Sequence, residues 1–153
     1  MVTLISHSPQ ETLALGEQWG QSAAPGWIIG LTGELGSGKT QLVKGIARGL
    51  GIQERVLSPT FSLVHEYRSG RLPMAHLDLY RLDTAEQITG AGLEEYFYHP
   101  TGVSVVEWIE RWPRWLQLDH QGASGPNSWR RRSVRLLSLN EQERQISYED
   151  LGD

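Results

Sequence analysis

The chain has 153 residues, no cysteine, and 14 Lys and Arg against 18 Asp and Glu, a formal net charge of −4. The absence of cysteine excludes a disulfide scaffold, a cysteine zinc site and a thiol nucleophile, and the acidic balance argues against a surface that attracts nucleic acid as a whole. No apolar run approaches the roughly 20 residues that span a bilayer and the N-terminus lacks an export signal, so we expect one cytoplasmic domain over residues 1–153 with no membrane association.

The N-terminal segment predicts a strand followed by a capped helix. Residues 2–6 have the composition of a short strand. Ser8 fits the N-cap position of a helix, Pro9 the first helical position and Glu11 the third. The apolar stripe expected on this helix consists of Leu13, Leu15 and Trp19.

A nearly continuous apolar run at residues 27–32 predicts a strand that is covered on both faces. A glycine-rich turn at residues 33–40 follows it, and then a helix that ends before Gly51. The predicted buried positions of that helix are Leu42, Val43, Ile46, Ala47 and Leu50. Strand, glycine loop and helix therefore follow one another in the order of a phosphate-binding unit.

The middle of the chain predicts a hairpin and two short helical segments. Residues 63–67 and 72–78 have strand composition and flank a polar turn. Asp83, with Glu86 three residues later, is expected to cap a short helix. Residues 93–97 are expected to add one more helical turn.

The C-terminal part predicts a further apolar strand, a helix and a closing hairpin. Residues 103–106 form the strand, which ends at Glu107, and residues 109–116 form the helix. One face of this helix would carry Trp108, Trp112 and Trp115. Residues 134–139 and 144–148 are expected to pair as antiparallel strands.

The order of these elements predicts an α/β protein with a three-layer P-loop NTPase-like fold, whose sheet is mainly parallel with antiparallel C-terminal strands. Residues 121–128 are expected to form an exposed loop. The arginines at 130–132 could form a small phosphate or RNA patch, but the residues alone favour the solvated start of a strand.

Residues 33–40, GELGSGKT, fit the phosphate-binding pattern G-x-x-x-x-G-K-[ST]. Its glycines let successive backbone N–H groups converge on phosphate oxygens at the N-terminus of a helix. At this spacing Lys39 can reach the β- and γ-phosphates, and the Thr40 hydroxyl can ligate Mg²⁺. The motif therefore predicts a nucleotide site.

Two predicted strands end in a carboxylate, Asp78 and Glu107, and such residues of a parallel sheet point to the ligand crevice. Either acid could hold Mg²⁺, directly or through water, while the other orients the attacking water. The alternative is that one of them is a helix cap or a surface acid. His76 alternates with Asp78 on one strand face, and we interpret it as a packed or hydrogen-bonded core histidine rather than a catalytic group.

Five segments together resemble one protein family. They are GELGSGKT at residues 33–40, SPTF at 58–61, HLDLYRL at 76–82, GLEEYF at 92–97 and VEW at 106–108. In this order they resemble the TsaE (YjeE-type) family of small bacterial ATPases, which are required to make threonylcarbamoyladenosine in tRNA. A phosphate loop alone would indicate only a superfamily, whereas five motifs in register indicate the family.

The resemblance implies an ATP site with bound Mg²⁺. Thr40 and Glu107 would be the metal residues, and Asp78 a Walker B-like acid. Glu107, Asp78 and Lys39 would carry catalysis together with Thr60, which would lie in a switch-like segment at residues 58–62. The implied nucleotide contacts are Pro9, Gly33, Leu35, Gly36, Ser37, Gly38, Lys39, Thr40 and a C-terminal arginine, Arg130 or its neighbour.

The resemblance also implies partner-stimulated ATP hydrolysis with TsaB- and TsaD-type proteins, in which this chain drives a cycle of their complex and contacts tRNA indirectly. The residues themselves leave a small-molecule kinase open, because such an enzyme uses the same loop and needs only an acceptor pocket and a basic lid. A GTPase with an Asn-Lys-x-Asp motif is excluded, since Lys39 and Lys44 are the only lysines and neither follows asparagine.

Overall fold

The computed structural model describes residues 1–59, 61–98, 100–112, 115 and 131–151. Within them the chain forms β1 (Val2–Ser6), α1 (Pro9–Ser22), β2 (Ile28–Thr32), α2 (Lys39–Gly49), β3 (Val64–Tyr67), β4 (Met74–Asp78), α3 (Ala85–Gly90), α4 (Glu94–Tyr98), β5 (Val103–Glu107), the 3-10 helix η1 (Ile109–Arg111), β6 (Arg131–Ser138) and β7 (Arg144–Leu151). Thr60, Arg130 and the loop predicted at residues 121–128 lie outside the described residues.

The described strands form one sheet in the order β1-β7-β6-β2-β5-β4-β3. The four central strands, β6, β2, β5 and β4, run parallel to one another. At one side β7 pairs antiparallel with both β6 and β1, and at the other β3 pairs antiparallel with β4. The predicted α/β fold, with a mainly parallel sheet and antiparallel C-terminal strands, is confirmed.

Two apolar clusters cover the two faces of the sheet, because side chains alternate along a strand. On β5, Val105 belongs to the cluster beneath α1 and α2, whereas Val106 belongs to the cluster beneath α3, α4 and η1. The predicted apolar face of α2 is confirmed, since all five expected positions are buried. The protein thus has the predicted three layers.

Helix α1 packs on α2 through glycines rather than through the expected leucine stripe. Trp19 is buried, but Leu13 and Leu15 are only partly buried, and Gly16 and Gly20 lie directly against the backbone of α2. A Cβ atom at Gly16 would collide with the backbone of α2, so only glycine allows this approach. The stripe prediction is confirmed at Trp19, whereas Leu15 lies at the edge of the first apolar cluster and Leu13 is partly buried. The short distance between the helices leaves room for glycine but not for large side chains.

The N-cap residue of α1 is the predicted one, whereas that of α3 lies one residue after the predicted position. Ser8 caps α1 as predicted, its hydroxyl accepting from the backbone N–H of Glu11 at 3.1 Å. Helix α3 is capped by Thr84, whose hydroxyl accepts from the N–H of Gln87, and not by Asp83, whose N–H donates to the Gln87 side chain. None of the described helices is long and apolar enough to cross a bilayer.

The helix predicted over residues 109–116 is wrong in its described part, residues 109–112. Trp108 has a left-handed backbone with φ of 61°, only Ile109–Arg111 form a 3-10 turn, and Trp112 is extended. The three tryptophans therefore share no helix face. Trp112 and Trp115 are buried in the second apolar cluster, whereas Trp108 is partly buried at its edge and its ring also contacts the Lys39 ammonium.

The solvated arginine run predicted before β6 is also wrong where the structure describes it. Arg131 is buried and donates to the backbone carbonyl of Trp115. Arg132 pairs with Asp150 at 2.6 Å. Its guanidinium also lies over the rings of Trp19, Trp27 and Tyr148. Aromatic partners from distant elements explain this burial, because guanidinium planes stack well on aromatic faces.

The glycine contact between α1 and α2 predicts a stability effect. Gly16→Ala should lower the free energy of unfolding by about 1–3 kcal/mol, because the added methyl group forces the two helices apart. Gly90→Ala is the matched control, since a Cβ at that helical position meets nothing within 4 Å. Chemical denaturation of both variants measures the difference, and equal stabilities would show that the helices tolerate a wider spacing.

Candidate nucleotide-binding site

The chemistry-bearing residues meet at the C-terminal edge of the parallel strands. The loop after β2 leads into α2, and β4 and β5 end next to it with Asp78 paired to Glu107 in register. A cavity of about 380 Å³ lies here, lined by the loop, by Thr40 and by both carboxylates. The predicted convergence of loop and acids at one edge is therefore present in the structure.

The phosphate loop has the backbone that its glycines were expected to provide. Gly36 and Gly38 have φ of 80° and 99°, a region that disfavours other residues. Gly33 has no room for a side chain, because a Cβ would meet the Ser37 side chain and the Leu136 carbonyl of β6. The loop is thus held between α2 and the end of β6.

Lys39 lies across the loop and is buried. Its ammonium donates to the carbonyl oxygens of Gly33 and Glu34, the latter at 2.9 Å. It also sits 4.3 Å from the centre of the Trp108 ring. Burial lowers the pKa of Lys39 by desolvation, and nearby carboxylates, Glu107 foremost, partly oppose this shift. The Lys39 ammonium is thus bound by loop carbonyls, and the oxygens of an anionic ligand could replace them.

Thr40 and Glu107 form the pair expected for a metal. The Thr40 hydroxyl donates to both carboxylate oxygens of Glu107, at 3.1 and 3.2 Å. Hydroxyl and carboxylate oxygens suit Mg²⁺, which commonly uses one or two carboxylates together with substrate phosphates and waters. The described residues contain no cluster of three His, Asp or Glu side chains that could hold a metal. The pair therefore fits an ion that arrives with a nucleotide.

Asp78 faces the segment that precedes β3. Its two carboxylate oxygens accept from the Ser58 hydroxyl at 3.2 Å and from the Tyr80 backbone N–H at 2.9 Å. Ser58 belongs to the predicted switch-like segment, although Thr60 itself lies outside the described residues. Asp78 thus connects this segment to the site.

The remaining predicted contacts lie at different distances from the cavity. Leu35 forms an exposed part of its rim. Pro9 does not line the cavity itself. Its carbonyl oxygen accepts a hydrogen bond from the side chain of Gln41, which does line the cavity. Arg130 lies outside the described residues.

Sequence reasoning missed Arg144. Its guanidinium donates to the carbonyl of Gly36 at 3.1 Å, and to the carbonyls of Asn140 and Glu143 in its own turn. This contact joins residues 108 positions apart. No local pattern could indicate it, because the hairpin of β6 and β7 has to fold before the two meet.

A second, larger cavity of about 580 Å³ lies at the opposite end of β4 and β5. It is lined by Tyr96, Glu66, Arg68 and Ser104, among others. Tyr96 donates to Glu66 there, and Arg68 lies 3.5 Å from the same carboxylate. This cavity has no phosphate loop beside it, so the chemistry of the lining residues, and not the volume, favours the cavity at residues 33–40 as the nucleotide site.

A parallel sheet with this loop between β2 and α2 defines a P-loop NTPase-like protein. The family model "Threonylcarbamoyl adenosine biosynthesis protein TsaE" matches residues 6–146. The chain therefore belongs to the TsaE family.

Relatives and a solved structure agree with this assignment. The tRNA threonylcarbamoyladenosine biosynthesis proteins TsaE of Synechocystis sp. and Bacillus subtilis are 50% and 46% identical over 105 and 101 residues. Those alignments span 64% and 66% of this chain, and 66% and 62% of the two relatives, so the chain matches just under two thirds of their length. The crystal structure of Bacillus subtilis YdiB superposes with a TM-score of 0.73 and 31% identity, over 99% of this chain and 86% of that one.

The contact between Arg144 and the loop predicts a local effect. Arg144→Gln should raise amide hydrogen exchange in residues 33–38 by about 2- to 10-fold, the effect of losing one hydrogen bond of about 0.5–1.5 kcal/mol. Arg135→Gln is the control, because Arg135 is an exposed arginine on the neighbouring strand. If both variants exchange alike, Arg144 does not hold the loop.

Proposed function

We propose that this protein binds and hydrolyses Mg–ATP, and that hydrolysis serves the formation of threonylcarbamoyladenosine in tRNA. The observation that carries the proposal is the Thr40–Glu107 pair directly behind a complete phosphate loop. The family supports the biosynthetic role. A tRNA-modification role agrees with a cytoplasmic protein.

Each residue of the site has a role that follows from its position. The N–H groups of residues 33–38 and the start of α2 bind phosphate oxygens. The Lys39 ammonium exchanges its loop carbonyls for the β- and γ-phosphates. When bound, Mg²⁺ supplies charge that stabilises the transferring phosphoryl group.

The two acids divide the remaining tasks. Glu107 and Thr40 supply the protein oxygens of the metal site. Asp78, with one oxygen on Ser58, orients the attacking water and senses the position of the switch-like segment, to which Thr60 adds a hydroxyl. Pro9, Arg130 and Arg144 flank the nucleotide in this proposal.

Exposed apolar side chains around the site support the dependence on partners. Leu35, Leu57 and Phe61 are 71%, 51% and 84% exposed, and Tyr80 at the cavity rim is 40% exposed. Large apolar side chains that stay in water near a site are typical of protein-binding surfaces. Proteins of the TsaB and TsaD type are the proposed partners. With a net charge of −4, the chain reaches tRNA through them rather than directly.

Nucleotide binding is tested first. Lys39→Ala and Thr40→Ala should each weaken the affinity for Mg–ATP by roughly 10- to 100-fold, the effect of losing a contact to a charged group of about 1.5–3 kcal/mol. Lys44→Ala should not, because Lys44 is exposed on α2 and is the only other lysine. Calorimetry with ATP and GTP measures both affinity and base preference. Parental affinity in both site variants would refute the nucleotide site.

Hydrolysis is tested separately. Glu107→Gln and Asp78→Asn should slow single-turnover hydrolysis by about 10²–10³, as for one lost transition-state interaction, and should change ATP affinity far less. The reaction contains TsaB- and TsaD-type proteins, with exposed Glu86→Gln as the control. Parental rates in both variants would show that the acids are structural, and a phosphorylated small molecule in place of inorganic phosphate would indicate a kinase.

A further inference from the structure

We propose that His76 is a positioning residue for Glu107, holding the carboxylate in the orientation in which it faces Thr40. The inference rests on the proposed Mg–nucleotide site and adds to it a residue that binds neither metal nor nucleotide. It concerns a histidine whose side chain is fully buried. Its effect should therefore appear in metal dependence rather than in nucleotide binding.

The register of the sheet places the two side chains together. His76 on β4 pairs with Val105 on β5, two residues before Glu107, so both side chains project from the face that carries α2. Diagonal neighbours on adjacent strands are within reach of long side chains. Here the ring Nε2 atom lies 2.5 Å from Oε2 of Glu107.

This hydrogen bond stabilises the buried carboxylate of Glu107. Glu107 is only 3% exposed, and a buried charge is costly unless its oxygens accept hydrogen bonds. Among the described residues, the hydrogen bonds to its carboxylate come from the Thr40 hydroxyl and the His76 ring. Thr40 contacts both oxygens, so the bond to His76 is what distinguishes Oε2 from Oε1.

The other ring nitrogen identifies the tautomer. Nδ1 of His76 is buried and has no hydrogen-bond partner among the residues that the structure describes. A buried N–H group without an acceptor is costly, which disfavours a hydrogen on Nδ1. The neutral ring with its hydrogen on Nε2 leaves only a lone pair unpaired, and it lets Nε2–H donate to Glu107.

As a consequence, the two carboxylate oxygens of Glu107 have different hydrogen-bond partners. Oε2 is held by a ring that is packed on all sides and cannot rotate freely. Within the described part of the chain, Oε1 accepts only from the Thr40 hydroxyl, which can ligate a metal through a lone pair while still donating its hydrogen. The carboxylate is therefore oriented before any ligand arrives, and loss of such outer support typically costs 10- to 100-fold in metal affinity.

The test uses two substitutions that differ in reach. The amide nitrogen of His76→Gln can occupy the place of Nε2 and donate to Glu107, whereas the shorter side chain of His76→Asn cannot. The affinity for a non-hydrolysable ATP analogue is measured by calorimetry with Mg²⁺ and with EDTA. His76→Asn should lose about 10- to 100-fold of the gain that Mg²⁺ provides and keep the affinity in EDTA; His76→Gln should retain the gain within a few-fold.

His65→Gln serves as the control, because His65 pairs with His76 in register but contacts the Leu57 carbonyl instead. The positioning role is overturned if His76→Asn keeps the full metal-dependent gain, if both His76 variants lose it equally, or if the parent binds the analogue without any gain from Mg²⁺. Failure of the parent to bind the analogue at all would count against the proposed function instead.

A further measurement tests the hydrogen bond directly and does not require nucleotide binding. Nitrogen-15 NMR of the histidine rings should show His76 with its hydrogen on Nε2, and the Nε2 resonance should move in Glu107→Gln. A hydrogen on Nδ1, or an Nε2 resonance that ignores Glu107→Gln, would overturn the proposal even if nucleotide binding were never observed.

Discussion

The position of β5 between β2 and β4, parallel to both, is the constraint on which the site depends. Leu31 and Asp78 are both in register with Glu107, so the loop after β2 and the two acids end at the same edge. A shift of β5 by one residue would turn Glu107 to the opposite face of the sheet, away from Thr40. The strand pairing thus determines which residues lie together at the site.

That edge holds opposite charges that are buried without being directly paired to each other. The contacts of Lys39 are loop carbonyls, whereas Glu107 accepts from Thr40 and His76. Desolvation opposes both charges, and it is visible in the lowered pKa of Lys39. A ligand that brings phosphates to the lysine and a divalent cation to the carboxylate would complement both at once, which is the property of a metal–nucleotide complex.

Local chemistry was predictable from the sequence, and contacts between distant segments were not. The cap at Ser8 and the phosphate loop depend on residues a few positions apart, and both were predicted correctly. The glycine contact at Gly16 depends on where a second helix lies, the left-handed backbone of Trp108 on packing around η1, and the Arg144 contact on the closed β6–β7 hairpin. In each case the outcome depends on the position of another segment, which local propensity does not determine.

The glycines between α1 and α2 also determine which parts of the protein are free to adjust. Gly16 faces Gly45 and Gly20 faces Gly49, so the helices touch backbone to backbone along two turns. Such a contact has no side chains that could change rotamer, and sliding by one residue would bring bulky groups into collision. The helix that follows the phosphate loop is therefore anchored as one rigid block with α1, and any displacement caused by a ligand must be absorbed on the other side of the cavity, where Ser58 meets Asp78.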